Sequence, residues 1–210
     1  MTQVSTPGYV RLVLPGAWVN VPLSSPEASK AFAQRVLRQQ VGRDDRLARV
    51  RRDGAQQICD LADKARAMGA HTLAMATEIA PGVPFAASLV GRDIDWPDLD
   101  PESEVPPAAV GPESDVTERL RVAYPAGEIR TIAAGVAVRQ QLRDVLRGQE
   151  EQTTSVSVSY RIPRPDSDRL LMLQFTAPDF GRPDTIAELF DAIAGSVEFT
   201  RRLVRGGEPH

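Results

Sequence analysis

Residues Ser155 to Ala177 read SVSVSYRIPRPDSDRLLMLQFTA. Val156, Val158, Tyr160 and Ile162 alternate with Ser155, Ser157, Ser159 and Arg161. After the polar stretch Pro163 to Arg169 the alternation resumes at Leu171, Leu173 and Phe175. Successive strand residues point to opposite faces, so a period of two predicts two strands, each with one dry and one wet face. Joined by a polar tip, they predict a hairpin. Its dry face requires an apolar cover, and the rest of the chain must supply it.

Downstream, Asp184 to Ala194 carries Ile186, Leu189, Phe190 and Ile193 at helical spacing, and Gly195 ends the run. Thr185 and Glu188 have the spacing of a capping box. Val197 to Phe199 reads as a last short strand, and the tail from about 201 as frayed. Upstream, Glu128 to Ala134 and Val136 to Leu146 predict two strands, with a bulge or tight bend at Gly135. Asp115 to Val122 suggests a short helix, and Thr72 to Ile79 and Phe85 to Val90 two further strands, separated by Pro81, Gly82, Val83 and Pro84.

From Pro26 to Met68 the period is helical and breaks near Gly42. Ser25 stands at an N-cap with Pro26 in the first turn, where a missing N–H costs nothing. Leu47, Val50, Ile58, Leu61, Ala65 and Met68 form one apolar stripe on the second helix, which ends at Gly69. Tyr9 to Leu14 and Ala17 to Leu23, around Pro15 and Gly16, predict an opening hairpin. Residues 93 to 112 hold five prolines and several carboxylates and read as an exposed loop within one domain, 1–210. Helices, then a meander of strands, then a closing helix predict an α+β fold, an antiparallel β-sheet flanked by helices. Regular βαβ alternation is missing, which argues against a doubly wound parallel sheet.

At 210 residues with 42% hydrophobic and 25% charged, the chain can bury a full core, and 5% aromatics make that core mostly aliphatic. A net charge of -3 offers no basic excess for nucleic acid. Cys59 is the one cysteine, so neither an intrachain disulfide nor a cysteine metal cluster is available. With His71 and His210 as the imidazoles, a catalytic zinc lacks ligands and no cofactor is expected. No window approaches the roughly 18 apolar residues of a membrane span, and the N-terminus has no signal-peptide pattern, so the expected compartment is the cytoplasm, without direct membrane insertion.

No phosphate-binding glycine loop and no G-x-S-x-G elbow occurs, and a Ser–His–Asp triad would have to recruit His71, which reads as a boundary residue of a strand. Asp93, Asp95, Asp98, Asp100, Glu102 and Glu104 imitate a calcium loop, but Pro97 and Pro101 interrupt them and no glycine stands at the sharp turn. Cys59 reads as a core residue and Trp18 as a core cover. Trp96, inside the acidic stretch, either pins that loop to its own domain or anchors a partner. Arg46, Arg49 and Arg52 belong to an arginine-rich helical segment with interspersed aspartates, a solvated face or an anionic docking patch. The candidate partner-binding residues are therefore Trp96, Asp95, Asp98, Arg46, Arg49 and Arg52. The function expected is a non-enzymatic protein-interaction module, with self-association possible. The alternative is a small-molecule binder or carboxylate-based enzyme with a pocket between sheet and helices.

A further pattern runs through Tyr124-Pro125-Ala126-Gly127, Ala134-Gly135-Val136-Ala137-Val138-Arg139, Val156 to Pro163, Leu170 to Pro178 and Leu189 to Val197. In this order the segments resemble a group of uncharacterised actinobacterial proteins and, more distantly, the PsbP-like fold of photosystem accessory proteins and small bacterial lipoproteins. Shared features are a β-meander and a helix ending in an Ile-x-x-Ser-hydrophobic-x-Phe strand, here Ile193 to Phe199. The resemblance implies an α-β-α sandwich and an adaptor or assembly role, with a type VII secretion component as a plausible partner. The chain departs from the lipoprotein members in lacking a signal peptide and a lipobox cysteine, and the resemblance transfers no functional residue.

Overall fold

A computed structural model describes residues 2–6, 10–42, 44–97, 115–147 and 152–200; for 2–6, 143–147 and 152–153 it describes the backbone alone. The elements are β1 (Thr2–Thr6), β2 (Val10–Leu14), β3 (Ala17–Asn20), α1 (Pro26–Val41), a 3-10 turn (Asp45–Leu47), α2 (Ala48–Ala67), β4 (Thr72–Ala80), β5 (Val83–Ile94), α3 (Val116–Ala123), β6 (Glu128–Ile132), β7 (Gly135–Arg147), β8 (Gln152–Pro163), β9 (Leu170–Pro178), α4 (Pro183–Gly195) and β10 (Glu198–Phe199). β8 and β9 pair antiparallel with Tyr160 opposite Leu173 and Val158 opposite Phe175, as their alternation predicts. They lie near the middle of a seven-stranded sheet ordered β3-β4-β5-β9-β8-β7-β6, in which every pairing is antiparallel. The fold is α+β.

Val156, Val158, Tyr160 and Ile162 share one face with Leu171, Leu173 and Phe175. That face is roofed by α4 and by a small sheet ordered β1-β2-β10. Phe190 of α4 stacks on Phe175 at 5.1 Å, and Tyr160 meets Phe175 edge-on at 6.2 Å. Phe190 is fully buried, which contributes roughly 2–3 kcal/mol. The opposite face is covered at each end. α1 and α2 close the β3–β4 end with Phe32, Ala33, Val36, Ile58, Ala62 and Ala65 against Leu73. At the other end α3 seats Leu120 against Val138 and Leu170.

Several sequence expectations need correction. β2 and β3 do not form a hairpin: β2 pairs with β1 and β10, whereas β3 pairs with β4. Pro15-Gly16 is a corner between two sheets. Gly16 has φ +75°, and a Cβ there would lie 2.0 Å from the Glu78 carbonyl oxygen. Trp18, just past the corner, is buried and donates its indole N–H to the Pro15 carbonyl at 2.9 Å. The wet face of β8 is only half wet, since Ser155 and Ser157 are buried, with the Ser157 hydroxyl 3.0 Å from that of Thr176.

Asp93 and Ile94 belong to β5, not to the loop, because they continue its pairing with Leu171 and Leu170. Residues 98–112, Asp98 among them, and the tail from 201 lie outside the described residues. The capping box of α4 does not form: the helix starts at Pro183 with Arg182 as N-cap and no side-chain cap. Of the apolar stripe read for the second helix only Ile58 and Ala65 are buried, and Ala62, outside that stripe, is buried with them; Leu47, Val50 and Met68 are exposed.

Candidate functional site

α1 and α2 form an antiparallel pair whose two ends differ. Ser25 caps α1 by accepting from the Ala28 N–H at 3.1 Å, and the buried side chains of α1 lie between Ser29 and Val36. On α2 they lie between Ile58 and Ala65. From Leu37 to Gln57, the turn included, no described residue is buried. This half of the helical pair is a tip reaching away from the core. Gly54 lets it close, since a Cβ there would stand 3.1 Å from a Leu37 methyl. Arg51 ties the turn by donating to the Gly42 and Asp44 carbonyls at 3.0 and 2.7 Å.

A groove of about 570 Å³ runs between the two helices. Leu37, Ala55 and Cys59 give it apolar wall, and Lys30, Arg38, Arg51 and Arg52 face the carboxylate of Asp63 alone. Asp63 is itself paired with Arg66. Beyond the groove Arg46 is exposed on the 3-10 turn, and Arg49 points into solvent with Asp53 at 3.7 Å. Leu47 and Val50 neighbour them in the chain, 38% and 54% exposed. The tip therefore combines cations, with the exposed Asp44, Asp45 and Asp53 among them, and uncovered aliphatic surface.

The sequence candidates fall on two separate packing groups. Arg46, Arg49 and Arg52 lie on the tip, and only Arg52 lines the groove. Trp96 packs with the α3 cluster, its ring under the Arg119 guanidinium at 4.1 Å, so it pins the chain end of β5. Asp95 is exposed and pairs with Arg169 at 2.9 Å. Sequence reasoning passed over Lys30, Gln34 and Leu37, whose spacing places them with Arg38, one of the crowded arginines, on one face of α1. Ala48, Arg52, Ala55, Cys59 and Asp63 repeat that spacing on α2, and the match of the two faces was the available signal.

Two other polar clusters serve the fold. Asp191 of α4 accepts from the Tyr160 hydroxyl and from Arg139 Nε, the latter at 2.6 Å, which ties α4 to β7 and β8. Burial first, then the hydrogen bond to Asp191 and the charge of that carboxylate, push the Tyr160 phenol well up. His71 sits where β4 begins, Nδ1 3.0 Å from the Thr72 hydroxyl and Nε2 3.7 Å from Asp93 Oδ1. That Nε2 is buried without a hydrogen-bond partner among the described residues.

No family model matches the chain, and no curated protein matches it. Among solved structures, the chain is similar to LpqN, described as involved in cell envelope biogenesis of Mycobacterium tuberculosis. The identity is 13%, the likeness covers 95% of this chain and 90% of that one, and the TM-score is 0.40. At that level the likeness carries no argument, and the fold class rests on the pairings and packing above. No helix among the described residues is long and apolar enough to cross a membrane.

Proposed function

We propose that the protein is a non-enzymatic interaction module, an accessory or assembly factor whose docking surface is the α1–α2 tip and whose partner offers an acidic segment with apolar side chains. The observation that carries this reading is the groove itself, four cations against one already paired carboxylate beside exposed Leu47 and Val50. Arginine at such a surface favours bidentate contact with carboxylates, and aliphatic side chains beside it supply the area that holds a complex together. The resemblance of residues 124–199 makes a bacterial secretion system, type VII included, the assembly to test first, with the cytoplasm as the proposed compartment.

The test places a photo-crosslinking residue at Gln34, recovers the cross-linked partner, and measures recombinant binding of that partner at low and physiological salt. The expected result is an acidic segment cross-linked in the groove, with affinity roughly tenfold or more weaker in an Arg38→Glu/Arg52→Glu variant. Both residues are exposed, so the variant should unfold at the same urea concentration as the parent. Equal affinity in parent and variant, or a cross-linked segment without acidic residues, would refute the proposal.

A further inference from the structure

The sheet face that α1, α2 and α3 cover at its ends is left without a helix over β8 and β9 among the described residues. Register places Arg161 of β8 directly across from Met172 of β9, and Met172 across from Arg92 of β5, so these three side chains form one row on that face. At about 4.8 Å per strand the two arginine backbones stand about 10 Å apart. Gln140, Ser159 and Gln174 form the next row. Tyr124, at the end of α3, closes one side, its ring under the Arg161 guanidinium at 4.4 Å.

Among the described residues no carboxylate pairs with the arginines of this row. Three arginines with well-covered side chains elsewhere in the described residues each meet a carboxylate. Arg139, 11% exposed, has Asp191 at 2.6 Å; Arg164, 10% exposed, has Asp93 at 2.9 Å; Arg119, 17% exposed, has Asp168 at 3.2 Å. Half-buried Arg161 has none among the described residues. Its Nη1 donates to two neutral acceptors, Gln140 Oε1 at 2.7 Å and Ser159 Oγ at 3.4 Å. Arg92 likewise donates to a neutral group, the Met68 carbonyl, at 3.2 Å. A guanidinium withdrawn from water without a counter-charge costs free energy, and a second one nearby adds to the cost. Burial, and after the opposing effect of Tyr124 the charge of Arg92, hold Arg161 below its ordinary pKa.

We propose that this strip binds a small organic anion, its carboxylate or phosphate group held between Arg161 and Arg92 and its apolar part lying on Met172. The guanidinium fork supplies parallel donors to an oxyanion. Tyr124 keeps the fork flat against its ring, and Ser159 and Gln174 offer hydroxyl and amide groups to a polar substituent. The site uses no residue of the α1–α2 groove and stands or falls independently of the docking surface proposed there.

The experiment follows backbone amide signals while the protein is titrated with sodium butyrate, inorganic phosphate and, at matched ionic strength, sodium chloride. Saturable shifts at residues 159–162 and 172–174 with butyrate or phosphate, and not with chloride, are expected; which oxyanion saturates distinguishes carboxylate from phosphate recognition. Arg161→Met should weaken that binding roughly tenfold or more. Arg130→Gln, at an exposed arginine paired with Glu128, should leave it unchanged. Without added anion, Arg161→Met should unfold at the same temperature as the parent or higher, since it removes a half-buried charge that no described carboxylate pairs with. A purely structural arginine would give a lower one. Shifts that track ionic strength alike in all three salts, or an Arg161→Met protein that binds as the parent does, would overturn the proposal.

Discussion

At the scale of single residues, stability is concentrated where a side chain or its absence joins two layers. Asp191 accepts from both Tyr160 and Arg139, so one carboxylate neutralises a cation and satisfies a buried phenol. Gly16 does the opposite work, by having no side chain at all. Its φ of +75° is disfavoured for L-residues, and the Glu78 carbonyl oxygen occupies the place a Cβ would take, 2.0 Å away. Relief would require β3 to withdraw from β4, and Trp18 leaves the core with it. Gly16→Ala should therefore cost about 3 kcal/mol or more, measured as a shift in the urea midpoint. Gly82, with φ +75° but open space around its Cβ, is the matched control: Gly82→Ala should cost only about 1 kcal/mol.

At the scale of elements, what could be read from sequence was what depends on local patterning. The β8–β9 hairpin follows from alternation, and the α1 start from Ser25 and Pro26, because each is decided within a few residues of chain. The sheet change at Gly16 was hidden because it depends on β4, about sixty residues downstream. The capping box of α4 failed because Pro183, already fixed near helical φ, starts the helix two residues before Thr185. The groove was half legible: the arginines were visible, but the facing of Lys30 and Arg38 toward Arg52 exists only once α1 and α2 are folded together. Ser25 offers a test of local encoding. Removing its hydroxyl by Ser25→Ala frees one backbone donor at the start of α1 while leaving the Ser25 carbonyl that accepts from Ser29. The expected loss is about 1 kcal/mol, read by denaturant unfolding, with hydrogen exchange quickening at Ala28 and not in β8 or β9.

At the scale of the molecule, His71 is where three parts of the sheet meet: its own β4, Asp93 at the end of β5, and Arg164 from the β8–β9 connection. Burial lowers its pKa below the ordinary 6.5; the Asp93 carboxylate works against that shift and the Arg164 charge with it. The neutral imidazole is thus the form the fold favours. As pH falls through 6.5 the unfolded chain takes up a proton that the folded chain resists, and the unfolded state gains. The stabilisation is present above pH 6.5 and is lost on acidification toward the lower folded value, the opposite of a histidine held charged by a carboxylate. His71→Gln removes the titration while keeping a polar side chain beside Asp93. Urea midpoints measured from pH 7.5 to 5 should fall more steeply in the parent than in His71→Gln, whatever the difference in their absolute stability. His210 is common to both and cancels from the comparison. Parallel curves would mean that His71 titrates in the folded chain as it does in the unfolded one, and that its buried Nε2 is reached by water.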